Sequence, residues 1–137
     1  MSKVTTVIDK MFNNDPFSKW LGIERIEEKA GAVVLQLTVR EEMLNGFGIA
    51  HGGITYSLAD SALAFSANGH GIQSVSIETS ISHTKPVKAG NILKTQVVEE
   101  SLTSKIGIYS ITILNQNNEK VALFKGTVYR NGKEWKV

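Results

Sequence analysis

The 137-residue chain contains no cysteine, so it can form no disulfide, thiolate nucleophile or thiolate metal site. It has only two prolines and shows no repeat or low-complexity tract. Met1-Ser2-Lys3-Val4-Thr5-Thr6 lacks the apolar core of a signal peptide, which makes the cytoplasm the expected compartment. The longest uncharged stretch is interrupted by Asn45, Gly46, Gly48, Gly52 and Gly53 and cannot form a membrane span. Nucleophile-elbow, phosphate-loop and dinucleotide signatures are missing. His70 and His83 have no acidic neighbours at ligand spacing, so they read as surface or core histidines, and neither a metal nor a bound cofactor is expected. Charge itself is missing over a long central region. Between Glu42 and Glu78 the only formally charged residue is Asp60, in Ile54-Thr55-Tyr56-Ser57-Leu58-Ala59-Asp60-Ser61-Ala62-Leu63-Ala64-Phe65. A carboxylate in apolar surroundings is costly to ionise, so it is usually paired, neutralised or functional.

Net charge is +2, unevenly divided. Residues 1–78 carry six Lys/Arg against nine Asp/Glu, and residues 79–137 carry nine against four. The basic second half suits either a solvated surface or an anionic partner. Its cations are scattered and accompany no recognition motif, which argues against nucleic acid.

The length fits a single domain spanning 1–137. Residues 2–13 predict a helix capped by Ser2, with Val4, Val7, Ile8, Met11 and Phe12 at helical spacing. Asn13-Asn14-Asp15-Pro16 ends it, and Phe17 to Leu21 is a further helical turn stopped by Gly22. Ile23 to Val39 predicts two strands joined near Lys29-Ala30-Gly31, followed by a glycine-containing loop from Glu41 to Ala50. A long helix begins at His51 or Gly52 and runs to about Asn68, with a left-handed glycine cap in Gly69-His70-Gly71. It is apolar or small nearly all round, the pattern of a buried helix. Strands follow with alternation at Val75, Ile77, Thr79 and Ile81, then over Ile92 to Glu100, Ile106 to Leu114 and Lys120 to Arg130. The expected class is α+β, an antiparallel sheet wrapped on one helix.

A helix N-terminus presents unpaired N–H groups and partial positive charge, and Gly52 and Gly53 leave that backbone open. Such a site suits a carbonyl oxygen that becomes negative during acyl transfer, although His-Gly-Gly alone equally describes a tight turn into a helix. Asp60 lies seven residues on, about 10 Å along the axis and on nearly the same face. One carbonyl cannot touch both groups of one chain. Two such helices packed antiparallel can bring Asp60 of one against Gly53 of the other, which predicts a two-fold dimer. Asn45 can orient water or a carbonyl. His51 can act as a base or brace the loop.

Leu44-Asn45-Gly46-Phe47-Gly48-Ile49-Ala50-His51-Gly52-Gly53, with Leu58-Ala59-Asp60-Ser61-Ala62, resembles the hotdog-fold acyl-CoA thioesterases, in particular their phenylacetate-pathway (PaaI-type) branch. The likeness extends to Asp15–Gly22, to Lys85-Pro86 with Gly90, and to Tyr109–Arg130. It implies a hotdog fold, dimers paired into tetramers, and hydrolysis of a CoA thioester, aryl-acyl by analogy, with CoA entering only as part of the substrate. It assigns the carbonyl-polarising donor to Gly53, the acid that attacks the thioester or activates water to Asp60, and supporting roles to Asn45 and His51. Some of these enzymes place Thr or Ser one turn after the acid. Ala64 stands there, leaving Ser57 and Ser61 as substitutes. Lys85, Lys88, Lys105 and Lys125 are candidates for the CoA phosphates, and Phe12, Phe17, Trp20, Phe47 and Phe65 for the acyl pocket. The alternatives are a hotdog hydratase or dehydratase using His51 with Asp60, a non-catalytic acyl-CoA-binding module, and a thioesterase of broad specificity. The module would normally be fused to a DNA-binding domain, for which this length leaves no room.

Overall fold

The structure, a computed structural model, describes residues 2–137. Helix α1 spans Lys3–Asn13, and the Ser2 hydroxyl accepts from the Thr5 N–H as its N-cap. Helix α2, Pro16–Leu21, is capped by the Asp15 carboxylate, which accepts from Ser18 N–H. It stops at Gly22, whose φ of 74° is the left-handed conformation that glycine adopts without strain. Strands β1 (Glu24–Glu27) and β2 (Val34–Thr38) follow, then a short 3-10 turn at Glu41–Met43 within the expected loop. Helix α3 runs Gly52–Asn68. The rest is strand: β3 Ile72–His83, β4 Ile92–Leu102, β5 Ile106–Leu114 and β6 Lys120–Glu134.

The six strands form one antiparallel sheet in the order β1-β2-β4-β5-β6-β3. Helix α3 packs against β2 to β6, as the resemblance implies. Its small surface residues permit this. A Cβ at Gly126 of β6 would lie 2.5 Å from Leu63 Cδ2, so glycine there lets Leu63 pack directly on the strand. Leu58, Ala59, Ala62 and Leu63 are fully buried against Leu35, Leu37, Leu93, Tyr109, Ile113 and Val121. Burying each large apolar side chain contributes about 1.5–3 kcal/mol.

Three details depart from expectation. Gly69, the residue that caps α3, is right-handed (φ −59°), and the left-handed glycine is Gly71 (φ 93°). Strand β6 continues four residues past Arg130, paired with the start of β3. The alternation over 75–81 does not put one face inward. A bulge between Ser76 and Glu78 resets the strand. Thr79, Ile81 and His83 sit opposite Gly126, Phe124 and Ala122, whereas upstream Ser76 sits opposite buried Val128 and Val75 opposite half-exposed Tyr129. Val75 and Ile77 are therefore 61% and 58% exposed, on a strand that pairs on one side only.

Candidate active site

Helix α3 begins in a fold of backbone that its own loop maintains. Asn45 Oδ1 accepts from Phe47 N–H (2.9 Å) and Ile49 N–H (3.4 Å), closing the Gly46–Gly48 turn. The His51 N–H donates to Met43 O (2.8 Å), and Ala50 N–H to Val87 O (2.7 Å). His51 is the N-cap, and its Nδ1 accepts from Gly53 N–H (2.9 Å). An accepting Nδ1 puts the proton of the neutral ring on Nε2. The Gly53 N–H is thus already engaged by the bracing histidine, while the Gly52 N–H next to it has no partner among the described residues. Both glycines keep the backbone close to a histidine ring. A Cβ on Gly52 would sit 3.1 Å from His83 Cε1, and one on Gly53 would sit 3.1 Å from His51 Nδ1.

Asn45 and Gly52 line a cavity of about 370 Å³ together with Ile49, Thr55, His83 and Lys85. His83 Nε2 is 2.8 Å from Thr55 Oγ1. The sequence reads it as a surface or core histidine, and the sheet delivers it to the mouth of α3. Nothing local could have revealed this; only the pairing of β3 across α3 does. His70, the other histidine outside the motif, bonds through Nε2 to Glu99 Oε2 (2.6 Å), which also accepts from Tyr109 OH (2.7 Å). Among the described residues no cluster of three or more His, Asp or Glu is arranged for a metal ion.

Asp60 is half-buried two helical turns away and opens into two further cavities. One, of about 270 Å³, is lined by Met11, Leu63, Asn68, Ser74 and Ser76. The other, about 210 Å³, is lined by Asp15, Phe17, Ser57, Ser61 and Phe65. Burial pushes the Asp60 carboxyl above the usual carboxylate range, and the negative charge of Asp15 adds to the push. Among the described residues no hydrogen bond holds it down. Asp15 is itself occupied: Ser18 Oγ donates to its Oδ2 (2.6 Å) and lies 2.8 Å from Ser61 Oγ, tying α2 to α3 beside Asp60.

One chain therefore sets Asn45 and Gly52 on one cavity, with His51 bonded to Gly53 beside it, while Asp60 lines two others. His51 Nδ1 faces the Gly53 amide, and among the described residues no hydrogen bond joins His51 to Asp60. The two serines proposed to replace the hydroxyl missing at Ala64 both line the 210 Å³ cavity with Asp60, and Ser61 is also bonded to Ser18. Ser76 was not foreseen and enters through the β3 bulge.

Two of the four candidate phosphate-binding lysines are paired with carboxylates. Lys85 pairs with Glu119, and Lys125 with Glu78 (3.3 Å). Lys85 lies near Val121, at the start of β6, and Lys105 accepts through its carbonyl from Arg130 N–H, nine residues farther along that strand. Among the aromatics, Phe65 and Phe12 form an edge-to-face pair (6.2 Å), with Phe65 in the core. Phe17 stacks on Trp20 (6.1 Å, 11°), the Arg40 guanidinium covers Trp20 at 5.0 Å, and Phe47 is 90% exposed on its loop.

Comparison with known proteins bears on the family and the fold. Residues 47–122 match the family model described as the thioesterase superfamily. The chain is 38% identical over 122 residues to the acyl-coenzyme A thioesterase PaaI of Escherichia coli K12, covering 89% of this chain and 87% of that protein. The solved structure of E. coli PaaI, from the phenylacetic acid degradation operon, superimposes with a TM-score of 0.93 at 36% identity, over 96% of each chain. A Streptococcus mutans protein solved bound to acetyl CoA matches with a TM-score of 0.79 at 25% identity, covering 82% of this chain and 91% of that one. Sequence, sheet order and the glycine-started central helix converge on one conclusion: the chain belongs to the thioesterase superfamily and has its hotdog fold.

Proposed function

We propose that this protein hydrolyses acyl-CoA thioesters in the cytoplasm, at two equivalent sites that a homodimer shares. The observation that carries the reading is the separation within one chain of a helix mouth, with its open Gly52 N–H and histidine-held Gly53 N–H, from a half-buried carboxylate on the same helix. A two-fold partner supplies each with the other. The free edge of β3, with exposed Val75 and Ile77 beside the Asp60 cavity, supports that edge as the contact. The shallow outer face around Ser110, Thr112 and half-exposed Leu123 supports pairing of dimers into a tetramer.

The thioester carbonyl docks at the start of α3. Its oxygen takes the Gly53 N–H, displacing or sharing the His51 acceptor, with the Gly52 N–H alongside. One such donor is worth about 3–4 kcal/mol to the developing oxyanion. The partner's Asp60 then acts in one of two ways. Its carboxylate attacks the carbonyl carbon, the C–S bond breaks, CoA leaves as thiolate, and water hydrolyses the mixed anhydride. Alternatively it removes a proton from water, whose oxygen attacks the same carbon while CoA leaves. A thiolate needs little protonation to depart, so no strong general acid is required. Asn45 holds the loop that aims the amides. Phe17, on the Asp60 cavity and stacked on Trp20, favours an aryl acyl group.

The sharing of sites is tested by complementation. Gly53→Pro removes the amide donor at a first-turn position where proline is tolerated, and Asp60→Asn removes the carboxylate. Each protein alone is expected to be inactive. After joint refolding, half of the dimers are mixed and each mixed dimer has one intact site, so about a quarter of wild-type turnover returns. Mixtures that stay inactive, although dimers exchange, sink the shared site. Release of thiol across aliphatic and aryl CoA esters tests the acyl preference, and a preference for long aliphatic chains removes the aryl assignment.

A further inference from the structure

Thr55 and His83 carry no part of the mechanism above, yet they meet behind its amide donor. Thr55 is the fourth residue of α3 and is 2% exposed. Its Oγ1 donates to Gly52 O (3.1 Å) and lies 2.8 Å from His83 Nε2. Among the described residues that hydroxyl has no other partner. A hydroxyl has one proton, and a carbonyl can only accept. Both contacts are satisfied in one way: Thr55 O–H donates to Gly52 O, and His83 Nε2–H donates to Thr55 Oγ1. The pairing of β3 with β6 sets the ring there. His83 sits opposite Ala122, and the residue after it is fixed by Thr84 N–H to Val121 O (2.9 Å) and Thr84 Oγ1 to Lys120 O (2.9 Å). The imidazole lies against Gly52, where a Cβ would come within 3.1 Å of its Cε1.

The carbonyl at the end of these bonds belongs to the peptide that matters. Gly52 O and Gly53 N–H are the two ends of one peptide unit, and that unit is trans. They point in opposite directions, so holding the oxygen at Thr55 aims the N–H at the place where His51 Nδ1 accepts (2.9 Å). Donation to the oxygen also draws electron density from the nitrogen through amide resonance and makes the N–H a stronger donor. The Gly52 carbonyl alone satisfies the Thr55 proton, so the packing of Thr55 does not require the imidazole as well. Each bond in such a chain strengthens the next by about 10–30%. Applied to one oxyanion donor, that is about two- to eightfold in rate.

We infer that Thr55 and His83 are positioning residues for acyl transfer: the His83 imidazole, through the Thr55 hydroxyl, orients and polarises the Gly52–Gly53 peptide whose N–H receives the thioester oxygen. The inference rests on the acyl-CoA reading above and adds to it two side chains that act through a peptide rather than on the substrate. A developing oxyanion gains more from a stronger donor than a neutral carbonyl does, so the effect falls on kcat and leaves KM nearly unchanged.

Two measurements on the full-length protein test it. In the first, kcat and KM for one acyl-CoA are compared in variants that keep or remove a donor at nearly constant size. Thr55→Val should lower kcat about fivefold and His83→Leu about threefold, each with KM nearly unchanged. Thr55→Ser and His83→Gln keep a donor and should keep most of the rate. The Thr55→Val/His83→Leu protein should be no slower than Thr55→Val, because the imidazole acts only through the hydroxyl. Losses that multiply in the double variant, that fall on KM alone, or that His83→Gln shares in full overturn the inference. The second measurement needs no substrate. Gly52–Gly53 is the only Gly-Gly pair in the sequence, so isotopic labelling of glycine at its carbonyl carbon and amide nitrogen gives one carbonyl–amide NMR correlation. The Gly52 carbonyl carbon should move upfield in Thr55→Val, move by a smaller step in His83→Leu, and stay near its wild-type position in His83→Gln. A carbonyl shift indifferent to His83 also overturns the inference. Failure of wild type to cleave CoA esters refutes the thioesterase reading instead, and the carbonyl shift then decides by itself whether His83 acts on this peptide.

Discussion

Replacing Asp60 by asparagine should abolish activity and stabilise the fold, and both effects follow from the same surroundings. Asparagine keeps the shape and removes the charge. Turnover should fall at least about a thousandfold, close to 4 kcal/mol of barrier, because neither attack on carbon nor removal of a proton from water survives the change. The stability effect comes from Asp15. Both carboxylates line a cavity of about 210 Å³. Across such a space, roughly 7–10 Å, two unit charges repel by about 2 kcal/mol at an effective dielectric of 20. Partial exposure of Asp60 reduces that to about 1 kcal/mol or less. The Asp60→Asn protein should therefore melt about 2–4 °C higher at neutral pH. The sign with pH is opposite to that of a salt-bridged carboxylate. Asp60 has a folded-state pKa raised above its ordinary value, so its cost is present at pH above that raised value. As pH falls through it, Asp60 protonates and the advantage of asparagine disappears. Calorimetric melting of both proteins between pH 4 and 8, with thiol release measured alongside, checks each part. Near-wild-type turnover refutes the catalytic role. A lower melting temperature at pH 7 refutes the claim that burial and Asp15 oppose the charge.

Asp15→Asn should move the acidic limb of the kcat/KM profile to lower pH, since it removes the like charge that helps hold the Asp60 pKa up; an unmoved limb assigns the shift to burial alone. Glu99→Gln should cost about 2–3 kcal/mol in urea melts at pH 7, because the bonds from His70 and Tyr109 lose their charged acceptor. Those bonds, with the Arg130 charge, outweigh burial and hold Glu99 below its ordinary pKa. This stabilisation is therefore full above the ordinary glutamate pKa and lost as pH falls through the lowered one, so the two proteins should converge in acid. A constant difference down to low pH defeats that account.

The parts of the fold that follow from local chemistry were legible in the sequence. Ser2, Asp15 and Gly22 mark helix ends through single side chains or a single positive φ, and α3 declares itself by having no polar face. The site was legible to the extent that it is contiguous, from Asn45 to Asp60. What escaped depends on contacts between distant segments. A bulge inside β3 cannot be seen in an alternating run, yet it places Ser76 opposite buried Val128 and leaves Val75 exposed at the rim of the Asp60 cavity. His83 reaches Gly52 only because β3 crosses the mouth of α3. The ion pairs of Lys85 and Lys125 join residues 34 and 47 positions apart, so no count of basic residues could show that those two charges are already taken.

The lone acid and the braced amide make sense together as a resting state. A carboxylate held by several hydrogen bonds would be easier to bury but a weaker base and nucleophile. Asp60 has none of those bonds, and the surrounding core, from Leu58 to Phe65, absorbs the cost of keeping it reactive. At the other end of the helix the problem is reversed. An exposed N–H left without an acceptor binds water, which substrate must then remove. His51 Nδ1 fills that place with a neutral, weak acceptor whose ring is tethered two residues away. A thioester oxygen gaining negative charge is the stronger acceptor, so the exchange becomes more favourable as the reaction proceeds, and the donor is worth most at the transition state.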